Sequence, residues 1–217
     1  MNILETLVAM EIAGGIVLAA GSAMAQDGAA AEPPSGLYYM DRSHTSVTFQ
    51  VNHLGFSHYT ARFSRVNGQL QFDPGHPEAM RVEAAIDPTS LELNAPPAGF
   101  HDQLMGKGWF EAALFPQITF RSTRVKVTGP HAASVTGDLT LHGVTHPVML
   151  DVVYNGGWPP NGFDPGGARI GFSAHGVLKR SDFGMANGVP APGSTLGVGD
   201  EVDIAIETEF SSKQVEP

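Results

Sequence analysis

The chain contains no cysteine. That excludes disulfides, thiol catalysis, iron–sulfur clusters and cysteine-held zinc. Charge is also scarce: only 16% of the 217 residues are Asp, Glu, Lys or Arg. Basic residues are the rarer sign, 12 against 22 acidic, for a formal net charge of −10. A nucleic-acid binder needs a basic face, so no nucleic-acid partner is expected. Tyrosine occurs four times and tryptophan twice, against twelve phenylalanines, so the aromatic surface has few polar handles. What is abundant is Gly (26) and Pro (16), the punctuation of a turn-rich β protein. Hydrophobic residues at 42% are too many for a disordered chain. The length fits one domain with a sizeable core, or two small ones.

The first segment reads as an address. Ile12 to Ala20 form an apolar run too short to span a bilayer as a helix. Ala23-Met24-Ala25 follows as a small-x-small cleavage site. Residues 1–25 are expected to be a signal peptide cut before Gln26, which marks the mature protein for export. The stretch before the run lacks Lys and Arg and carries Glu5 and Glu11. A misassigned start codon and a retained N-terminal anchor are two explanations for that departure. Residues 26–36 read as a flexible leader, and residues 37–212 as one domain.

Beyond Gly36 the chain alternates with period two. Val47, Phe49 and Val51 alternate with Thr48 and Gln50; Leu70 and Phe72 with Gln69 and Gln71. Similar runs centre on Val82, Phe120, Leu139, Leu150, Phe172 and Ile204, which makes about eight strands. Turn signals such as Asp73-Pro74-Gly75 and Asp164-Pro165-Gly166-Gly167 separate them. One apolar and one wet face per strand mark an all-β, antiparallel fold. Eight such strands with short links predict a closed barrel, with a β-sandwich as the rival. Phe100–Met105 and Trp109–Phe115, ending at Pro116, predict a short helical crossing segment after the third strand.

An eight-stranded barrel is either filled by side chains or open to one small ligand. The expected inward residues are Phe49, Phe56, Phe63, Leu70, Phe72, Phe120, Leu139, Leu141 and Phe172. They describe a filled core and an apolar tunnel equally well.

Several blocks then carry a resemblance. In order they are Tyr39–Thr45, Val51–Phe56, Gly68–Pro74, Phe115–Ser122, Gly137–Val148 (GDLTLHGVTHPV), Gly171–Ala174, Lys179–Met185 and Val198–Val202. Together they make the chain, over residues 37–210, similar to the YceI-like family of periplasmic polyisoprenoid-binding proteins. The resemblance implies a lipocalin-like barrel with a long-chain isoprenoid, a quinone or a polyprenyl phosphate, threaded through it. It implies no metal, no cofactor and no catalytic step. It implies a homodimer, with a quinone-reactive membrane cytochrome as a further partner. One departure lies in the crossing segment. There the family usually has Asp-x-His-Leu, and this chain reads His101-Asp102-Gln103-Leu104. The Phe-Phe pair that follows in the family is Trp109-Phe110 here.

The expected ligand-binding set is Phe49, Val51, His53, Phe56, Phe63, Leu70, Phe72, Trp109, Phe120, Leu139, Leu141, Phe172 and Arg180. His53, at a strand end, either donates to a quinone carbonyl or phosphate oxygen, or bonds to backbone. Arg180 either pairs with Asp182 or holds a phosphate, whose oxygens its forked donors match. Asp41 and Arg42 form a similar candidate pair. Trp109 and Phe110 either cap the tunnel or plug the core. His142 and His146 stand with three residues between them, a metal spacing on a helix, but Gly143 and Pro147 make this a hairpin turn. The rival functions are a metal-assisted enzyme using this pair and a stress-response barrel with a filled core.

Overall fold

The computed structural model describes residues 32–214. The expected signal peptide, 1–25, lies outside the described residues, as do positions 26–31 of the expected leader. The described strands are β1 (Gly36–His53), β2 (Ser57–Phe63), β3 (Val66–Phe72), β4 (Arg81–Ile86) and β5 (Leu91–Glu92). After α1 (Phe100–Met105) come β6 (Ile118–Gly129), β7 (Ala132–Leu141), β8 (Val144–Trp158), β9 (Arg169–Lys179) and β10 (Val198–Ser211).

These ten strands make eight staves. The upper half of β1 pairs with β2 (Val47 opposite Phe63), and its lower half with β3 (Gly36 opposite Phe72). β2 and β3 are therefore one stave interrupted at Ser64–Arg65. β4 and β5 form the next stave, broken by a 3-10 turn at Pro88–Ser90. Asp87 caps that turn by accepting from the Thr89 N–H. The two breaks sit side by side, joined by Ser64 N–H to Ser90 O and Asp87 N–H to Arg65 O. The remaining strands follow as an antiparallel meander, and β10 returns to pair with β1, with Tyr39 opposite Ser211. The result is a closed eight-stranded antiparallel barrel. Closure removes both sheet edges.

A bulge in β1 between Asp41 and Ser46 shifts its phase. Met40 and then Val47, Phe49, Val51 and His53 all line the interior as a result. Call the end at His53 and Val198 upper, and the end at Gly36 and Ser211 lower. At the lower end Tyr38, Phe72, Tyr154, Phe172 and Phe210 form a chain of ring contacts 5.4–6.2 Å apart. The Tyr38 hydroxyl donates to Pro34 O at 2.8 Å; burial first, and Tyr154 second, push its pKa up to about 12. Pro33 is buried and Ser35 Oγ donates to Asp73, so the last residues of the expected leader lie against the barrel.

Asp41 pairs with Arg169 instead of Arg42. Arg169 Nη1 donates to Asp41 and Glu209, and Nε to Asp164, each at 2.6 Å. Burial opposes ionisation of Asp41, but hydrogen bonds from Ser43, Arg169 and His44 hold its carboxyl far below the usual range. A carboxylate depressed in the folded state adds stability that is complete above its unfolded pKa of about 3.9 and is lost as pH falls further. Asp41→Asn is expected to cost roughly 2–4 kcal/mol at neutral pH. The gap to wild type should narrow progressively below about pH 4. Urea unfolding across that range checks this, and a gap independent of pH would remove Asp41 from the acid response.

Candidate functional site

The barrel interior is not filled. A cavity of about 1030 Å³ runs from Glu32, Pro74, Pro77 and His131 at the lower end to His53, Asn94–Pro97 and Val198 at the upper. That is at the top of the ~300–1,000 Å³ span of pockets that hold drug-sized molecules. Its wall is overwhelmingly aliphatic and aromatic. Period-two alternation aims these side chains inward: Ala84 and Ile86 from β4, Ile118 and Phe120 from β6, Leu150 and Val152 from β8, Ile204 and Ile206 from β10. Many are only partly buried because they face empty space instead of one another. Phe120 reaches over Gly137, where a Cβ would stand 2.3 Å from the ring, so the glycine makes room for the aromatic wall.

All the expected ligand-binding residues line this cavity except Phe56. Phe56 closes the turn between β1 and β2, and its side chain is 87% exposed at the hairpin tip. Its placement corrects the inward expectation: the turn, with Leu54 and Gly55 both at positive φ, breaks the alternation just before it. Sequence reasoning missed Tyr59 and Ala61, which line the wall with Phe63 from β2. Their alternation with Thr60 and Arg62 was the available signal. It also missed Asn94–Pro97, a rim segment with no periodicity to reveal it.

The upper end is closed in part by the crossing segment. Leu104 is buried, Phe110 packs edge-on against Phe63 at 5.8 Å, and both line the cavity. Trp109 lines it too and lies under the Arg180 guanidinium, 5.7 Å from ring centroid to Cζ. Arg180 is 5% exposed. It does not pair with Asp182. Nε donates to Gly199 O, Nη1 to Met185 O and Asn187 O, and Nη2 to Val198 O, at 2.6–2.9 Å. Burial pulls its pKa below the ordinary arginine value, and Asp200 opposes that shift. Four of its five donors are thus spent on backbone carbonyls. Arg180 holds the loop between the β9 end and β10, and lacks the free pair of donors a phosphate grip needs.

His142 and His146 go separate ways. His142 and Gly143 form the β7–β8 turn, both at positive φ. The His142 Nδ1–H donates to Phe183 O, and Nε2 lies 3.1 Å from Glu111 Oε2, tying the crossing segment to the barrel. His146 packs edge-on against Phe183. Among the described residues one set of potential metal ligands converges, Asp41, His44 and Glu209. Arg169 donates to both carboxylates of that set, so a positive charge already stands where a cation would bind.

A model of the YceI-like domain matches residues 38–210. A UPF0312 protein of Pseudomonas savastanoi pv. phaseolicola is 36% identical over 197 residues, 89% of this chain and 92% of the relative. A UPF0312 protein of Yersinia pestis is 37% identical over 184 residues, covering 83% and 86%. Among solved structures, Burkholderia cenocepacia BcnA superposes with a TM-score of 0.65 at 28% identity, over 78% of this chain and 98% of its own. A polyisoprenoid binding domain from Saccharophagus degradans shares the fold, with a TM-score of 0.53 at 15% identity, over 80% and 97%. The match runs from the second residue after the barrel's opening glycine to the last residue but one of β10, so the whole barrel is the family's domain, and the chain belongs to the YceI-like family.

Proposed function

We propose that this protein binds a long-chain isoprenoid lipid along the barrel axis and carries it through the periplasm. The observation that carries the proposal is the apolar cavity of about 1030 Å³, continuous from one end of the barrel to the other. Each methylene moved from water into such a wall contributes about 0.8 kcal/mol, so a long chain can offset the entropy of its own straightening. Family membership, and the polyisoprenoid-binding domain of Saccharophagus degradans that shares the fold, support the same reading. The barrel is a binder in this proposal, not an enzyme.

Of the two head groups, a quinone fits better than a polyprenyl phosphate. Arg180, the buried cation of the upper end, is committed to backbone carbonyls. The polar groups left at the upper mouth are His53, Tyr59 and Asn94, whose N–H and O–H groups suit a carbonyl oxygen. Arg81 lines the lower mouth, but its Nη1 donates to the Glu78 and Met80 carbonyls, and the acidic Glu32 lines the same cavity. Periplasmic location rests on the expected signal peptide. A second copy of the chain and a quinone-reactive membrane cytochrome complete the proposal as partners implied by the family.

The test is native mass spectrometry on protein from the exported fraction, followed by organic extraction. An added mass that extracts as an isoprenoid quinone is expected. The intact mass also reads whether the chain begins at Gln26. Protein of clean apo mass, unchanged after incubation with quinones and with polyprenyl phosphates, would overturn the reading. Uptake of the phosphate alone would reverse the head-group assignment.

A further inference from the structure

The two ends of the cavity differ in the character of the chain around them. At the lower end the connections carry Asp73, His76, Glu78 and Asp164, with Arg81 and Arg169 opening the next strands. At the upper end three connections meet the mouth: the β1–β2 turn (54–56), the stretch 93–99 after β5, and the loop 184–197. None of them contains a single Asp, Glu, Lys or Arg, although the chain as a whole has a net charge of −10. Two of them touch directly. Leu54 N–H donates to Gly197 O at 2.9 Å, and a Cβ on Gly55 would meet Thr195 at 3.1 Å. Beside that joint, Phe56 and Leu196 stand in solvent, 87% and 82% exposed. The third connection is tied in by Asn94 N–H, which donates to the Tyr59 hydroxyl.

Large apolar side chains exposed together need an occupant more than single ones do. Three features narrow its nature. The pair borders the mouth of an apolar cavity. The connections that bear it bring no fixed charge to be desolvated. The titratable groups flanking the β1–β2 turn are His53 and His58, so nothing there repels an anionic surface. The crossing segment beside the mouth adds Asp102, Lys107 and Glu111, the last held against His142; the turn after β9 adds Arg180 and Asp182, and Glu201 stands opposite Lys179 in the β9–β10 ladder. By contrast, the exposed Phe163 of the lower end sits with Asp164, Arg169 and Glu209. We infer that the upper rim is the face that meets a lipid surface. Phe56 and Leu196 enter the bilayer interface, and the isoprenoid passes between membrane and cavity through the upper mouth without crossing water. The inference rests on the lipid-binding reading above for what passes, but not for the contact itself.

Phe56→Asp combined with Leu196→Asp tests it, since both side chains lie in solvent and the fold does not depend on them. Three measurements are compared with wild type. These are flotation of ligand-free protein with phosphatidylcholine vesicles, transfer of a long-chain isoprenoid quinone out of such vesicles, and uptake of the same quinone from detergent. Wild type is expected to float. The double variant should lose flotation and slow vesicle transfer by about tenfold or more, as loss of two buried apolar side chains implies, while detergent uptake stays unchanged. Wild type that stays off the vesicles, or equal vesicle transfer by both proteins, overturns the inference and leaves the rim to a protein partner. Failure of wild type to take quinone from detergent would instead overturn the lipid-binding reading, and flotation would still decide the contact.

Discussion

Leu139→Trp is expected to weaken isoprenoid binding about 100-fold while leaving the fold as stable as wild type. Leu139 lies on β7, opposite His146 and Phe120, and its side chain projects into the cavity partway along its length. In a filled core the added bulk would cost about 1–3 kcal/mol in strain. Here it enters empty space, so the melting temperature should hold or rise. A straight lipid chain, however, meets an obstruction. Leaving about four methylenes outside forfeits roughly 3 kcal/mol, which is about a 100-fold loss in affinity. Thermal melts and a quinone titration on the same preparation separate the two effects. Binding that survives with the fold intact would show that the chain does not pass Leu139. A fall in melting temperature of core-packing size would show an interior that closes in solution.

The second large effect is expected at Arg180. Replacing it with Leu removes the donors to Gly199, Met185, Asn187 and Val198 at once. Buried carbonyls left without partners, plus the lost contact with Trp109, should cost about 3–5 kcal/mol. Arg180→Lys should recover little of it, because one ammonium cannot reach carbonyls spread around a planar fork. The damage should be local before it is global: limited proteolysis within 186–197 should precede unfolding of the barrel. Denaturant unfolding of both variants checks the magnitude. A cost under about 1 kcal/mol for the Leu variant would mean that these carbonyls are served by water, and that Arg180 is free for a ligand after all.

How much of this was legible in the sequence differs by element. In β7, β9 and β10 one phase of period two names most of the inward residues, whereas β6 and β8 keep a phase only up to the irregularities at Ser122–Arg124 and Tyr154–Gly156. β1 resisted, because the bulge at Asp41–Ser46 moves the inward set from even to odd positions and no single phase fits the strand. Phe56 was misplaced for a related reason. A turn at positive φ resets the alternation, and sequence does not mark on which side of the reset a residue falls. The openness of the interior was not legible at all, since a wall of Phe, Leu and Ile reads the same whether it faces a lipid or another side chain. Arg180 looked like the partner of Asp182 two residues away, but backbone carbonyls leave no trace in composition. The contact of His142 with Glu111, 31 positions earlier, exists only once the crossing segment is laid over the barrel end.

The closing ladder between β1 and β10 has a practical corollary. Because Tyr39 stands opposite Ser211, both ends of the domain emerge side by side at the lower rim. A fusion partner, an affinity handle or a surface linker attached to either end therefore leaves the upper opening unobstructed. The same adjacency makes a rearranged gene practicable, with Ser211 joined to Gly36 by a short linker and new termini cut at the exposed tip of residues 159–163. Such a permuted chain would keep every stave in place while exchanging roles: the β1–β10 pairing becomes a local hairpin and the β8–β9 pairing becomes the one that spans the whole domain. One closing ladder still joins the two ends of the chain, so the permuted protein should fold at a rate close to the parent's.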